Sequence, residues 1–117
     1  MLQGTSRIAL FAGFFAATLS AASAQSDDWA TCAKATGNDA RAACDRAIDS
    51  GQYTGRALAL AYSNRGVEWT AKGDLARAIA DYDAAIKHDP KQAAAYRNRG
   101  IARADQRDFD GAIADFD

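Results

Sequence analysis

The sequence has a single histidine, a single proline and only two cysteines among its 117 residues. Two cysteines and one distant histidine, His88, do not make a ligand set, so we expect no metal site. The 14 lysines and arginines nearly balance the 15 aspartates and glutamates, which argues against a dedicated nucleic-acid-binding protein. Pro90 is the single proline, and proline is the residue that most strongly disfavours a helix interior. Much of the 49% hydrophobic content is alanine, the strongest helix former. The composition therefore predicts an all-α chain.

No catalytic pattern is visible in the sequence. There is no combination of nucleophile, base and orienting group, no phosphate loop and no G-x-G-x-x-G motif. His88 falls at the end of a predicted helix, where a positive charge suits the helix dipole. We therefore expect neither enzymatic activity nor a cofactor.

The N-terminus has the pattern of a targeting segment. Arg7 supplies a positive charge, residues 8–19 are apolar, and Ala22-Ser23-Ala24 fits the A-x-A rule. We predict a signal peptide over residues 1–24, cleaved between Ala24 and Gln25. The alternative is an uncleaved anchor, but the uncharged stretch is barely long enough and is diluted by Gly, Ser and Thr. We expect an exported chain that has no membrane association after cleavage.

The main feature of the rest of the chain is an internal repeat at a spacing of 34 residues. Residues 57–83 and 91–117 are identical at 12 of 27 aligned positions. The identical pairs include Tyr62/Tyr96, Asn64/Asn98, Arg65/Arg99, Gly66/Gly100, Asp74/Asp108, Ala78/Ala112 and Ile79/Ile113. A match of this density predicts two copies of one structural unit.

Each copy is predicted to be a helical hairpin. In the first copy, one helix spans residues 57–72 and ends at Gly73, which enters the left-handed conformation without a Cβ penalty. Asp74 then caps a second helix over residues 75–88, and Pro90 closes the unit. Gly66 and Ala78 are small enough to let the two helix backbones approach closely.

These residues resemble the tetratricopeptide repeat family. The family spacing of aromatic, glycine, alanine and proline positions is matched by Tyr62, Gly66, Trp69, Ala78, Tyr82, Ala85 and Pro90. The second copy matches at Tyr96, Gly100, Ala112 and Phe116, but Arg103 replaces the expected aromatic and Arg107 replaces the turn glycine. The Asn-Arg-Gly triplet and the Gly-Asp turn are typical of bacterial members, so we expect a periplasmic or secreted bacterial protein.

The resemblance implies an α-α superhelix of two to three hairpins, with repeats at residues 57–90 and 91–117. It further implies a groove, lined by the first helix of each hairpin, that holds a protein or peptide partner. The candidate groove residues are Leu60, Ser63, Asn64, Val67, Arg97, Asn98, Ile101 and Asp105. The amides of Asn64 and Asn98 can clamp a peptide backbone, and the alternative for both is packing between neighbouring hairpins. We expect Arg65 and Arg99 to pair with internal acids such as Asp81 and Asp115.

Residues 25–56 are predicted to form a divergent hairpin of the same kind, with helices over residues 29–35 and 40–50. Cys32 and Cys44 flank its turn almost symmetrically, which places them at about the same height in an antiparallel pair. In an oxidising compartment they are expected to form a disulfide. The alternative is two small thiols in the core.

The second repeat is predicted to be incomplete, because the counterparts of Ala85, Ile86 and Pro90 are missing after Asp117. We expect its last helix to fray from about Gly111 onward. An exposed, incomplete hairpin would favour self-association, so the alternative function is a self-assembling structural solenoid or a fragment without independent function.

Overall fold

The computed structural model describes residues 27–34 and 36–117. This part of the chain is helical throughout and contains no strand. The predicted signal peptide lies outside the described residues. Residues 27–34 form helix α1, and five helices follow: α2 (Asn38–Asp49), α3 (Gly55–Ala71), α4 (Leu75–His88), α5 (Ala93–Asp105) and α6 (Phe109–Phe116).

The helices pair as three successive hairpins, α1–α2, α3–α4 and α5–α6. We call α1, α3 and α5 the A helices, and α2, α4 and α6 the B helices. Each A helix after the first packs against its own B helix and against the B helix before it. The all-α fold of stacked helical hairpins that the repeat predicts is thereby confirmed.

The turns between paired helices have the predicted chemistry. Gly73 has φ +79°, and Oδ1 of Asp74 accepts a hydrogen bond from the backbone N–H of Arg77 at 3.2 Å. The second repeat uses the same geometry, with Arg107 at φ +66° and Asp108 as the cap. A non-glycine residue therefore occupies a left-handed position where the first repeat has glycine.

Some helix boundaries differ from the sequence prediction. Helix α3 begins at Gly55 instead of Ala57, and α2 begins at Asn38 instead of Ala40. The backbone N–H of Gly37 donates to Oε2 of Glu68 at 2.7 Å, and this long-range bond holds the chain at the point where α2 starts. A contact from a residue 31 positions away leaves no local signal in the sequence.

Small residues form most of the core between hairpins. Ala59, Ala85 and Ala95 pack in one cluster at the α3–α5 junction, and Ala78, Tyr82 and Ala102 form a second. A Cβ added to Gly66 would lie 2.7 Å from Cε1 of Tyr82. The absence of a side chain at Gly66 therefore lets the ring of Tyr82 pack directly against α3, in agreement with the small residue that the repeat pattern predicts there.

The first hairpin differs from the others in what holds it. Cys32 and Cys44 are joined by a disulfide with their Cα atoms 4.7 Å apart, compatible with the predicted pair. Both cysteines are buried with Ala43 and Ala61, so the bridge lies inside the contact between this hairpin and α3. No helix of the described residues is long and apolar enough to cross a membrane.

Candidate functional site: the A-helix surface

Three large aliphatic side chains are exposed on the A helices. Leu60 and Val67 of α3 are 37% and 43% exposed, and Ile101 of α5 is 46% exposed. Leu60 and Val67 are seven residues apart, so they lie on the same side of α3 two turns from each other. Ile101 is the counterpart of Val67 in the next repeat. We call the face that carries these three residues the A-helix surface.

A cavity of about 290 Å³ lies in this surface between α3 and α5. Its lining residues are Val67, Thr70, Ala71, Tyr82, Asn98 and Ile101. The hydroxyl groups of Tyr82 and Thr70 are hydrogen-bonded to each other at 3.1 Å, so both are already satisfied. Burial raises the pKa of Tyr82, and the phenol is neutral at physiological pH. The cavity therefore has largely apolar walls.

The two predicted asparagines have different environments. Nδ2 of Asn64 donates to the backbone carbonyl of Cys32 at 3.1 Å, which links α3 to the first hairpin. Asn98, its counterpart, lines the 290 Å³ cavity and has no hydrogen bond to any residue that the structure describes. The packing alternative thus describes Asn64, whereas Asn98 makes no corresponding bond within the described part of the chain.

The remaining predicted groove residues are placed apart from this cavity. Ser63 is buried, and its hydroxyl donates to Oε1 of Gln92 at 3.1 Å, so it ties α3 to the start of α5. Arg97 is exposed but lines a different hollow, next to Tyr96. Asp105 is exposed at the last residue of α5. The structure therefore brings Val67, Asn98 and Ile101 together, and Leu60 lies two turns away.

The arginines of the Asn-Arg-Gly triplets hold the hairpins together. Arg65 donates to both carboxylate oxygens of Asp81 at 2.8 and 2.9 Å, and to Oδ1 of Asp45 at 2.9 Å. The hydrogen bonds to Asp81 raise the pKa of Arg65, an effect that outweighs the opposing desolvation. The predicted pairing with Asp81 is confirmed, and it leaves this guanidinium unavailable to a ligand.

Arg99 repeats the arrangement one hairpin later. It donates to both oxygens of Asp115, at 2.6 and 3.0 Å, and to Oδ1 of Asp83 at 2.6 Å. Each triplet arginine thus joins its own B helix to the preceding one. The sequence analysis did not predict the pairing with Asp45 and Asp83. The two acids are nevertheless at equivalent positions, because Asp45 follows Ala40 at the same distance as Asp83 follows Ala78.

A second cavity, of about 620 Å³, opens at the amino-terminal ends of α3 and α5. Its lining residues are Arg56, Leu60, His88, Asp89, Lys91, Gln92, Ala93 and Ala94. Neither Arg56 nor Lys91 forms an ion pair with a residue of the described chain. The ring of His88 stacks on Tyr62 with a centroid distance of 5.7 Å. The sequence analysis did not group these residues, because they come from two separate segments, the start of α3 and residues 88–94.

No group of three or more His, Cys, Asp and Glu side chains within residues 27–34 and 36–117 could hold a metal ion. The acids that cluster in space are instead paired with arginines. The A-helix surface therefore offers apolar walls, the amide of Asn98 and a few exposed charges. This combination suits the binding of a polypeptide segment.

Comparison with known families agrees with the repeat geometry. Residues 68–107 match the family model described as TPR repeat. The match supports a protein of the TPR family. It runs from the last turn of α3 to the turn after α5, and the cavity-lining residues Arg56, Leu60 and Val67 lie outside it. No curated protein and no solved structure matches the chain significantly. TPR repeats generally mediate interactions between proteins and have no enzymatic role.

Proposed function

We propose that this protein is an exported, non-enzymatic scaffold that binds a protein or peptide partner through the A-helix surface. The observation that carries the proposal is the 290 Å³ cavity, where Val67 and Ile101 are exposed beside the free amide of Asn98. Export is supported by the targeting pattern of residues 1–24 and by the disulfide of the first hairpin.

The available contacts set the scale of the affinity. Burying the part of Leu60, Val67 or Ile101 that is still exposed gains about 1 kcal/mol for each side chain. A hydrogen bond from Asn98 to a peptide backbone adds about 1 kcal/mol. Because binding also costs the partner translational, rotational and conformational entropy, a short peptide is expected to bind in the micromolar range or more weakly.

The test is to select binders for the purified protein from a displayed peptide library and then to measure their binding to variants. Val67→Glu and Ile101→Glu are expected to reduce the affinity at least tenfold, because each places a charge in the apolar cavity. The matched control is Ile113→Glu, which introduces the same charge at an exposed isoleucine of α6. Binders that tolerate both cavity variants would contradict the proposal.

The two asparagines provide a finer test of the same surface. Asn98→Ala is expected to weaken peptide binding with little change in the free energy of unfolding. Asn64→Ala is expected to lower the free energy of unfolding by about 1 kcal/mol, because it removes the bond to the carbonyl of Cys32. Equal effects of the two variants on binding would show that Asn98 has no special part in it.

Self-association is the second candidate, and the apolar face of α6 favours it. Phe109, Ile113 and Phe116 are 60%, 59% and 54% exposed along this helix. Light scattering over a range of concentrations tests the candidate. A mass that rises with concentration, and that Ile113→Glu returns to the monomer value, supports self-association, whereas a constant monomer mass excludes it.

A further inference from the structure

We propose that the segment bound on the A-helix surface is extended and acidic, with a carboxylate side chain about three residues from an aliphatic side chain. This inference rests on the proposed function, and it names the chemistry of the partner. It follows from the charges in one cavity, the apolar walls of the other and the distance between them.

The 620 Å³ cavity attracts negative charge. Arg56, His88 and Lys91 border it, and Asp89 is the only acid among its described lining residues. Oδ1 of Asp89 accepts a hydrogen bond from the backbone N–H of Lys91 at 3.1 Å, so part of its charge is already satisfied. The side chains of Arg56 and Lys91 remain without an ion-pair partner among the described residues. A carboxylate from a partner would supply one.

The arrangement of these cations favours an internal acidic side chain over a free C-terminus. Arg56 and Lys91 are both exposed and come from α3 and from the turn after α4. They create a positive field around an open cavity, and the described residues that line it form no buried fork of donors that would fix a terminal carboxylate. A solvated Asp or Glu side chain fits this environment.

The 290 Å³ cavity selects the second group of the ligand. Val67 and Ile101 offer aliphatic walls, and the hydroxyls of Tyr82 and Thr70 bond to each other. An aliphatic side chain of the partner buries apolar surface there without leaving a polar group unpaired. The amide of Asn98 can then pair with the ligand backbone next to that side chain.

The repeat fixes the distance between the two cavities. Leu60 and Ala94 line the first cavity, and Val67 and Ile101 line the second, so the separation is seven residues on both α3 and α5. Seven residues of helix span about 10 Å at 1.5 Å per residue. An extended peptide covers the same distance in about three residues at 3.3 Å each. The acidic and aliphatic groups of the ligand are therefore expected about three positions apart.

The test uses peptides with amidated C-termini, derived from binders selected as above, and measures their affinity by fluorescence anisotropy. We expect the selected peptides to share an acidic residue two to four positions from an aliphatic one. Changing that acid to lysine is expected to reduce the affinity about tenfold at low salt, and less at high salt. Inserting two glycines between the two groups should cause a comparable loss.

Variants of the protein locate the charge effect. Arg56→Glu combined with Lys91→Glu should weaken the acidic peptide about tenfold and should improve binding of its lysine version. The matched control, Lys34→Glu with Lys72→Glu, changes the net charge equally at exposed residues that do not line the cavity. Equal losses in both double variants would show that only the net charge matters and would overturn the inference.

The outcomes separate this inference from the function on which it rests. Binding that Val67→Glu abolishes but that has no preference for acidic peptides leaves the groove function standing and overturns the acidic ligand. Binding that needs a free C-terminal carboxylate also overturns it. Binding that is independent of Val67 and Ile101, or the absence of any enriched peptide, contradicts the function and the inference together.

Discussion

In the hairpin of α3 and α4, an aromatic ring lies between two guanidinium groups, whereas in the hairpin of α5 and α6 a guanidinium takes the place of the ring. Trp69 is stacked between Arg41 and Arg77, at 4.9 and 4.7 Å. Its counterpart Arg103 donates to Oδ2 of Asp115 at 2.9 Å, and the counterpart of Arg77 is Gly111. A Cβ at Gly111 would meet the carboxylate of its capping residue Asp108 first, with Cγ at 2.9 Å, and Cδ of Arg103 next, at 3.1 Å.

The two hairpins also differ in how far their neighbours cover them. Tyr82 of α4 is 1% exposed because α5 packs over it, whereas its counterpart Phe116 is 54% exposed. The same residue position therefore belongs to the core in one repeat and to the surface in the next. Paired substitutions at equivalent positions can measure this difference directly.

The largest expected difference is at this aromatic position. Tyr82→Ala should lower the free energy of unfolding by about 4 kcal/mol, because it opens a cavity between α3, α4 and α5. Phe116→Ala should cost about 1 kcal/mol, since most of its ring is in water. Denaturant unfolding followed by circular dichroism checks both values, and similar losses would mean that α5 does not cover α4 as described.

The triplet arginines should come next in size. Among the described residues, Arg65 alone pairs with Asp81, whose side chain is 7% exposed, so Arg65→Met should cost about 3 kcal/mol. Arg99→Met should cost about 1 kcal/mol, because Arg103 still donates to Asp115. The double variant Arg99→Met, Arg103→Met provides the control, and it should lose as much as Arg65→Met. A small effect in that double variant would contradict the shared role of Arg103.

A smaller difference is expected at the helix-contact glycines. A Cβ at either Gly66 or Gly100 would meet an aromatic ring at 2.7 Å. Tyr82 is enclosed and cannot move away, so Gly66→Ala should cost about 1 kcal/mol even after the gain in helix propensity. Phe116 can turn outward, but the added Cβ would also lie 3.1 Å from Cβ of the buried Asp115, so Gly100→Ala should cost less than Gly66→Ala without being stabilising. Thermal melts of the two variants decide this, and equal losses would count against the difference in burial.

The smallest effect is expected at the turn of the second repeat. Arg107 has φ +66°, so Arg107→Gly should raise the free energy of unfolding by about 0.5 kcal/mol. Arg107→Ala is the matched control, because it removes the side chain but keeps the strained backbone. If Arg107→Ala stabilises the protein as much as Arg107→Gly, backbone strain is not the cause.

Most of the fold could be predicted from short-range patterns. The 34-residue repeat, Gly73 with Asp74 at the turn, and the packing of Gly66 against the second helix of its hairpin each gave a correct structural expectation. These features depend on spacing within one hairpin or between equivalent positions. Contacts between the divergent first hairpin and the repeats could not be predicted in the same way. The hydrogen bond from Gly37 to Glu68 is an example.

The candidate site was less predictable than the fold. Asn64 and Asn98 are equivalent positions of the repeat. Only the side chain of Asn64 donates a hydrogen bond to the carbonyl of Cys32. Ser63 occupies a groove position in the family pattern, but its bond to Gln92 buries it. The positive cavity of Arg56 and Lys91 had no sequence signal at all. A repeat predicts the position of a residue on its helix. The contacts with neighbouring residues decide whether its side chain can still bind a ligand.

The most direct test of the account is whether the hairpins stack in the described register in solution. In the NMR spectrum of the purified protein, we expect nuclear Overhauser effects from the methyl group of Ala102 to the ring of Tyr82, and from the methyl group of Ala95 to that of Ala59. Both contacts join α5 to the preceding hairpin and place the two cavities between the A helices. If both are absent in the folded protein, the hairpins do not stack this way, and the proposed binding surface does not exist.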